Sequence, residues 1–124
     1  MDKELKARLS KDPDGLLTYE YIANNIQDID PIIDELVDNM INVDPNGQFT
    51  VSAARYLNAI DPAAFAGPIS RLVAAAIDKD RERNYLGQLL TSIWGDDYAQ
   101  RVDELNATDN NFRRIYKRIY PTGI

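Results

Sequence analysis

Apolar residues along this chain recur three and four positions apart, the spacing of a helix face, with almost no stretch of strict alternation. Leu5 and Leu9 mark a short helix over Lys3 to Ser10, and Ile22 and Ile26 a second from Leu17 to Gln27. Asp30-Pro31 reads as a helix start: aspartate can cap free N–H groups, and proline fits the first turn because the N–H it lacks would have no partner there. The helix that follows places Ile32, Ile33, Leu36, Val37, Met40 and Ile41 along one face. Thr50 is expected to cap the next, with Ala53, Ala54, Leu57 and Ile60 as its stripe. Asp61-Pro62 and Gly67-Pro68 punctuate the chain before a run of Ile69, Leu72, Val73, Ala76 and Ile77. Three more helices are expected: one carries Tyr85, Leu86, Leu89, Leu90, Ile93 and Trp94, and another Tyr98, Val102 and Leu105. The last, behind Asp109, carries Phe112, Ile115, Tyr116 and Ile119.

The polar breaks between these runs are not random. Asp12-Pro13-Asp14-Gly15-Leu16-Leu17-Thr18 returns as Asp44-Pro45-Asn46-Gly47-Gln48-Phe49-Thr50, and breaks near Asp78 and Asp109 continue the rhythm at intervals of 31 to 34 residues. Self-similarity of that period is a mark of paired helices. The expected fold is therefore all-α, a single domain over residues 1–124, with about eight helices as consecutive antiparallel hairpins. The short segments Leu16 to Tyr19 and Gln48 to Val51 are the only β-compatible stretches, at the same place in each copy.

Two families share parts of this pattern. Ser10, Asp12, Asp14, Gly15 and Leu17 resemble positions 1, 3, 5, 6 and 8 of an EF-hand calcium loop, and Asn42, Asp44, Asn46, Gly47 and Phe49 fill the same slots in the second copy. The resemblance implies a small β-ladder between Leu17 and Phe49. Position 12, which in that family is a bidentate glutamate, is Tyr21 in one copy and Ala53 in the other, and Pro13 and Pro45 stiffen the turn. A degenerate EF-hand-like metal sensor is one alternative; a plain Asp-Pro-Asx-Gly turn is the favoured reading, and no metal site or cofactor is expected. The helix pairs from Pro31 to Asp61 and from Pro68 to Ile93 also look like HEAT-type units, a likeness of rhythm and architecture.

Composition narrows the chemistry. The chain has neither cysteine nor histidine, which removes disulfides, thiol nucleophiles and every histidine-dependent triad, zinc motif or pH switch. Carboxylate pairs such as Asp34 with Asp38, or Asp96 with Asp97, occur where caps and solvated surface are expected, so no catalytic residue is nominated and the chain is not read as an enzyme. The longest apolar run, Leu72 to Ile77, falls far short of the roughly 20 residues of a membrane span, and no signal peptide stands at the start. A cytoplasmic protein without membrane contact is the expectation.

Charge then separates the two ends. Nine acidic residues and no lysine or arginine lie between Asp12 and Ala54, whereas Arg113, Arg114, Lys117 and Arg118 cluster near the C-terminus of a chain whose net charge is −6. The leading expectation is a non-enzymatic protein-interaction module. Its acidic N-terminal surface, represented by Asp28, Asp34 and Asp38, would bind a basic protein partner. The alternative is a nucleic-acid-associated protein that uses Arg113, Arg114, Lys117 and Arg118 beside the aromatic seam of Phe112 to Tyr120. The same polarity permits self-association of one copy's acidic half with another's basic helix.

Overall fold

The computed structural model describes residues 1–122, and among them the secondary structure is helical throughout, with no strand. Eight α-helices follow one another: α1 (Lys3–Ser10), α2 (Leu16–Asn24), α3 (Ile33–Val43), α4 (Gln48–Ile60), α5 (Ala66–Lys79), α6 (Gly87–Trp94), α7 (Val102–Thr108) and α8 (Asn110–Ile119). Single 3-10 turns, Asp30–Ile32 and Tyr98–Arg101, lead into α3 and α7. No helix among the described residues is long and apolar enough to cross a membrane.

The all-α expectation holds, and the packing is that of a compact bundle. α3 lies against α1 and α5, and α5 in turn against α8; α4 likewise touches α2 and α6. The most extensive contact, between α4 and α5, ties these two sets together. One cluster of buried side chains runs through the whole molecule, from Leu9 and Ile22 through Leu36, Met40, Leu57, Leu72 and Ile77 to Leu89, Phe112 and Ile115. Full burial of such a side chain contributes about 1.5–3 kcal/mol, so this cluster dominates what holds the helices together.

Local departures from the expected pattern have simple causes. Leu17 and Phe49 sit in the first turns of α2 and α4, so the segments that looked β-compatible are helical, and the β-ladder implied by the EF-hand resemblance is not formed. Gly67 and Pro68 lie inside the first turn of α5, where a missing N–H breaks no bond, instead of interrupting the chain. Thr50 is the third residue of α4 and not its cap. Ile60, the last residue of α4, is 49% exposed and so does not join the core stripe expected of it.

Candidate functional site

The breaks between helices are built around buried carboxylates. At the first corner Asp12 Oδ1 accepts from the N–H of Asp14 at 3.2 Å and of Gly15 at 2.8 Å, and Oδ2 accepts from the N–H of Thr18 at 2.8 Å and its hydroxyl at 2.7 Å. Asp44 repeats the arrangement on Asn46, Gly47 and Thr50, with distances of 3.1, 3.0, 2.8 and 2.7 Å. Each carboxylate thereby satisfies backbone donors at the start of the next helix that have no helical partner. Burial alone would raise the Asp12 carboxyl, but the Thr18 hydroxyl and the N–H groups of Thr18, Gly15 and Asp14 together outweigh it and hold the pKa below the usual carboxylate value.

A third corner is also built on a buried carboxylate, without the same sequence and with donors four, five and six residues on in place of two, three and six. The rhythm of the chain points to Asp78, but the carboxylate that turns inward belongs to Asp80. It accepts from the N–H of Asn84 at 2.9 Å, Tyr85 at 2.7 Å and Leu86 at 2.8 Å. The residue three places beyond each aspartate has a positive φ: Gly15 at 104°, Gly47 at 90° and Arg83 at 61°. The corners also stack. A Cβ on Gly15 would lie 3.3 Å from Asp44 Cβ, and one on Gly47 would lie 3.3 Å from Asp80 Cβ. Donors on α3, α5 and α8 stitch the pile together: Asn39 Nδ2 donates to Leu9 O at 3.0 Å, Lys79 Nζ to Asp44 O at 2.7 Å, and Arg118 Nη1 to Asp80 O at 3.4 Å.

These contacts bear on the calcium-loop resemblance. Both oxygens of Asp12 and of Asp44 already accept hydrogen bonds from their own corner, so each carboxylate is turned toward the backbone and away from a would-be ion. Among the described residues no three acidic side chains converge as a metal-holding group.

The acidic surface nominated from the sequence is divided by the fold. Asp34 and Asp38 are exposed on α3 and face Arg71 of α5, whose guanidinium lies 3.8 Å from Asp34 and in direct contact with Asp38. That cation, beyond the acidic tract, offsets part of their charge. Asp28 forms no ion pair, nor do Asp14, Glu20 and Asp30, among the described residues. Between Asp14 and Glu20 stand Leu16 and Leu17, 41% and 46% exposed.

The four C-terminal cations also part company. Arg113 donates to Asn106 O at 2.9 Å and to Asn110 Oδ1 at 2.6 Å, so it holds only neutral partners. With Lys117 it lines a groove of about 510 Å³ between α7 and α8 that also exposes Asn106, Tyr116 and Tyr120. Asn106 Oδ1 is buried without a hydrogen-bond partner among the described residues. The Tyr98 hydroxyl lies 3.4 Å from that of Tyr120, and this contact, followed by burial, pushes the Tyr98 pKa up. Arg114 pairs with Asp78 at 2.9 Å. Together with Lys117 and Arg118 it lines a second groove, of about 470 Å³, which Arg83 completes from the third corner. Arg81, Asp78 and Arg118 line a third groove next to it.

Arg81 and Arg83 are not among the residues the sequence singles out. The +3 spacing from an inward-facing aspartate could have singled out Arg83, had Asp80 been identified as the pivot. Arg71 was missed because nothing in its own helix marks it as the counter-ion of α3. Comparison of the chain with protein-family models, with curated proteins and with solved structures finds no match.

Proposed function

We propose that this chain is a non-enzymatic protein-interaction module that binds a basic partner through the acidic surface of its N-terminal half. The observation that carries the reading is the pair of adjacent leucines, Leu16 and Leu17, standing exposed on α2 between Asp14 and Glu20, neither of which has a cationic partner. An apolar centre with a charged rim is the usual anatomy of a protein contact: the centre supplies burial, and the rim supplies steering and selectivity. Asp28 and Asp30 extend the negative field along the chain beyond α2. Asp34 and Asp38, shared with Arg71, contribute less than their number suggests. A lysine-rich amphipathic segment fits this surface, its apolar side on the leucines and its ammonium groups on the rim.

The reading is tested with a lysine-leucine amphipathic peptide as probe. Binding should weaken as salt rises, and the combination Glu20→Lys with Asp28→Lys should lower affinity by about tenfold or more. Leu17→Ser should weaken it independently of salt. Binding that ignores both salt and charge reversal would contradict the proposal.

A further inference from the structure

We infer that the opposite, C-terminal end of the molecule binds a nucleoside phosphate, with Arg83 as a phosphate contact held in place at a conformational cost. This inference is independent of the acidic surface. It begins from the comparison of the three corners. At the position three residues beyond the buried aspartate, the first two corners carry glycine, and the third carries arginine with φ 61°. Left-handed backbone costs a residue with a Cβ about 1–2 kcal/mol that glycine does not incur, so an arginine there works against the fold. Glycine is enforced at the first two corners for a second reason, since a Cβ would press on the next corner in the stack, whereas the Arg83 side chain reaches the carbonyl of Arg118. Space therefore permits the arginine but does not require it. Backbone strain of this kind is characteristic of functional positions.

The surroundings of Arg83 say what it would bind. Its Nη1 lies 3.3 Å from the carbonyl of Arg118, which places the guanidinium at the groove shared with Arg114 and Lys117. Arg81 stands on the adjoining groove, again with Arg118. Five cations from two distant segments thus meet at one end of a protein of net charge −6, and Asp78, paired with Arg114, is the single carboxylate lining either groove. Arg81 and Lys117 make no ion pair or side-chain hydrogen bond among the described residues, so nothing in the fold accounts for holding them together. Like charges gathered in this way repel one another until an anion arrives, and guanidinium groups match the oxygens of phosphate especially well.

The ligand also has an aromatic side. Lys117 and Pro121 border both the cationic groove and the groove between α7 and α8. In the latter, Tyr116 and Tyr120 lie with ring centroids 4.8 Å apart, and Asn106 and the carboxylate of Asp103 also stand on the wall. Phosphate on Arg83 and Lys117, with a base against the tyrosines, uses both grooves at once. The chemistry is the same for a free nucleotide and for one unit of a single-stranded nucleic acid.

Fluorescence competition on the full chain, with ATP, a short oligothymidylate and inorganic tripolyphosphate as probes, tests this directly. ATP or the oligothymidylate should bind in a salt-dependent manner and about tenfold more tightly than tripolyphosphate. Oligothymidylate binding without ATP binding assigns the site to a strand, and comparable binding assigns it to a free nucleotide. Arg81→Gln with Lys117→Gln, which removes no hydrogen bond or ion pair among the described residues, should reduce affinity about tenfold or more. Arg83→Gly separates function from stability: it should lose affinity while melting at the same or a higher temperature. Absence of binding to both nucleotide probes, or binding unaltered in these variants, overturns the site. Equal affinity for tripolyphosphate and the nucleotide probes overturns the base contact.

Discussion

The corners at Asp12 and Asp44 and the corner at Asp80 place a buried carboxylate and a left-handed residue three positions on in two different sequences. The first two fill the carboxylate from N–H groups two and three residues on, the third from groups four and five on. In the first two, proline follows the aspartate, glycine takes the positive φ, and a threonine six residues on returns both its N–H and its hydroxyl to the carboxylate. The third has no proline, glycine or threonine in those places, yet the N–H of Leu86, also six residues on, donates to the carboxylate at the same 2.8 Å. What the three share is the buried aspartate. Proline presets a turn and threonine adds a bond, but the carboxylate supplies acceptors for N–H groups at the starts of α2 and α4 and in the turn leading into α6 that would otherwise lack a partner. The third corner differs too in what its left-handed position carries: a charged side chain whose Nη1 reaches the carbonyl of Arg118.

The largest effect expected from breaking this comparison is that of Asp44→Ala. Four hydrogen bonds disappear from a carboxylate 1% exposed, and the Gly47 and Thr50 donors left behind are buried. Loss of a buried acceptor with its cap predicts roughly 3 kcal/mol or more in urea unfolding. A loss as small as that of an ordinary surface change, about 0.5 kcal/mol, would show that the carboxylate is dispensable.

Glycine and arginine at the equivalent position sharpen the contrast. Gly47→Ala, at φ 90° and with its new Cβ 3.3 Å from Asp80 Cβ, should cost about 1–2 kcal/mol. Arg83→Gly should cost nothing or stabilise the fold by up to about 1 kcal/mol as strain is relieved. If both substitutions destabilise alike, the two positions are not equivalent.

The smallest signal is expected from pH. Because the folded Asp12 carboxyl titrates below its unfolded counterpart, the stability it adds is complete above the unfolded value of about 3.9 and is lost as pH falls through the lower folded value. The stability difference between the natural chain and Asp12→Asn should therefore shrink with acidification in that window and stay level above it. Carbon NMR of the Asp12 carboxyl should also show its pKa rise in Thr18→Val, which deletes the hydroxyl donor.

How much of this could be read from the chain depends on whether the determining contacts are local. The helices, and the core faces of α3 and α5, are periodic in sequence: Leu36, Val37 and Met40, and Ile69, Leu72, Val73, Ala76 and Ile77, are all buried. The first two corners were visible as a repeated string, though their aspartates looked like metal ligands or turn residues because the inward rotation of a side chain leaves no trace in the order of residues. The third corner was misplaced by two positions, at Asp78, since its proline and glycine are absent. Surface charge was the least legible. The tract without lysine or arginine is partly offset by Arg71, and the basic helix gains Arg81 and Arg83; both depend on contacts between segments more than thirty residues apart.

Asp80→Ala, measured by urea unfolding beside Asp44→Ala, tests the equivalence of the corners most directly. Equivalence predicts a comparable loss, roughly 3 kcal/mol, at a position whose sequence shares only the aspartate. Near-native stability of Asp80→Ala, with Asp44→Ala strongly destabilised, would contradict it and leave the proline-glycine string, not the buried carboxylate, as what makes the corner.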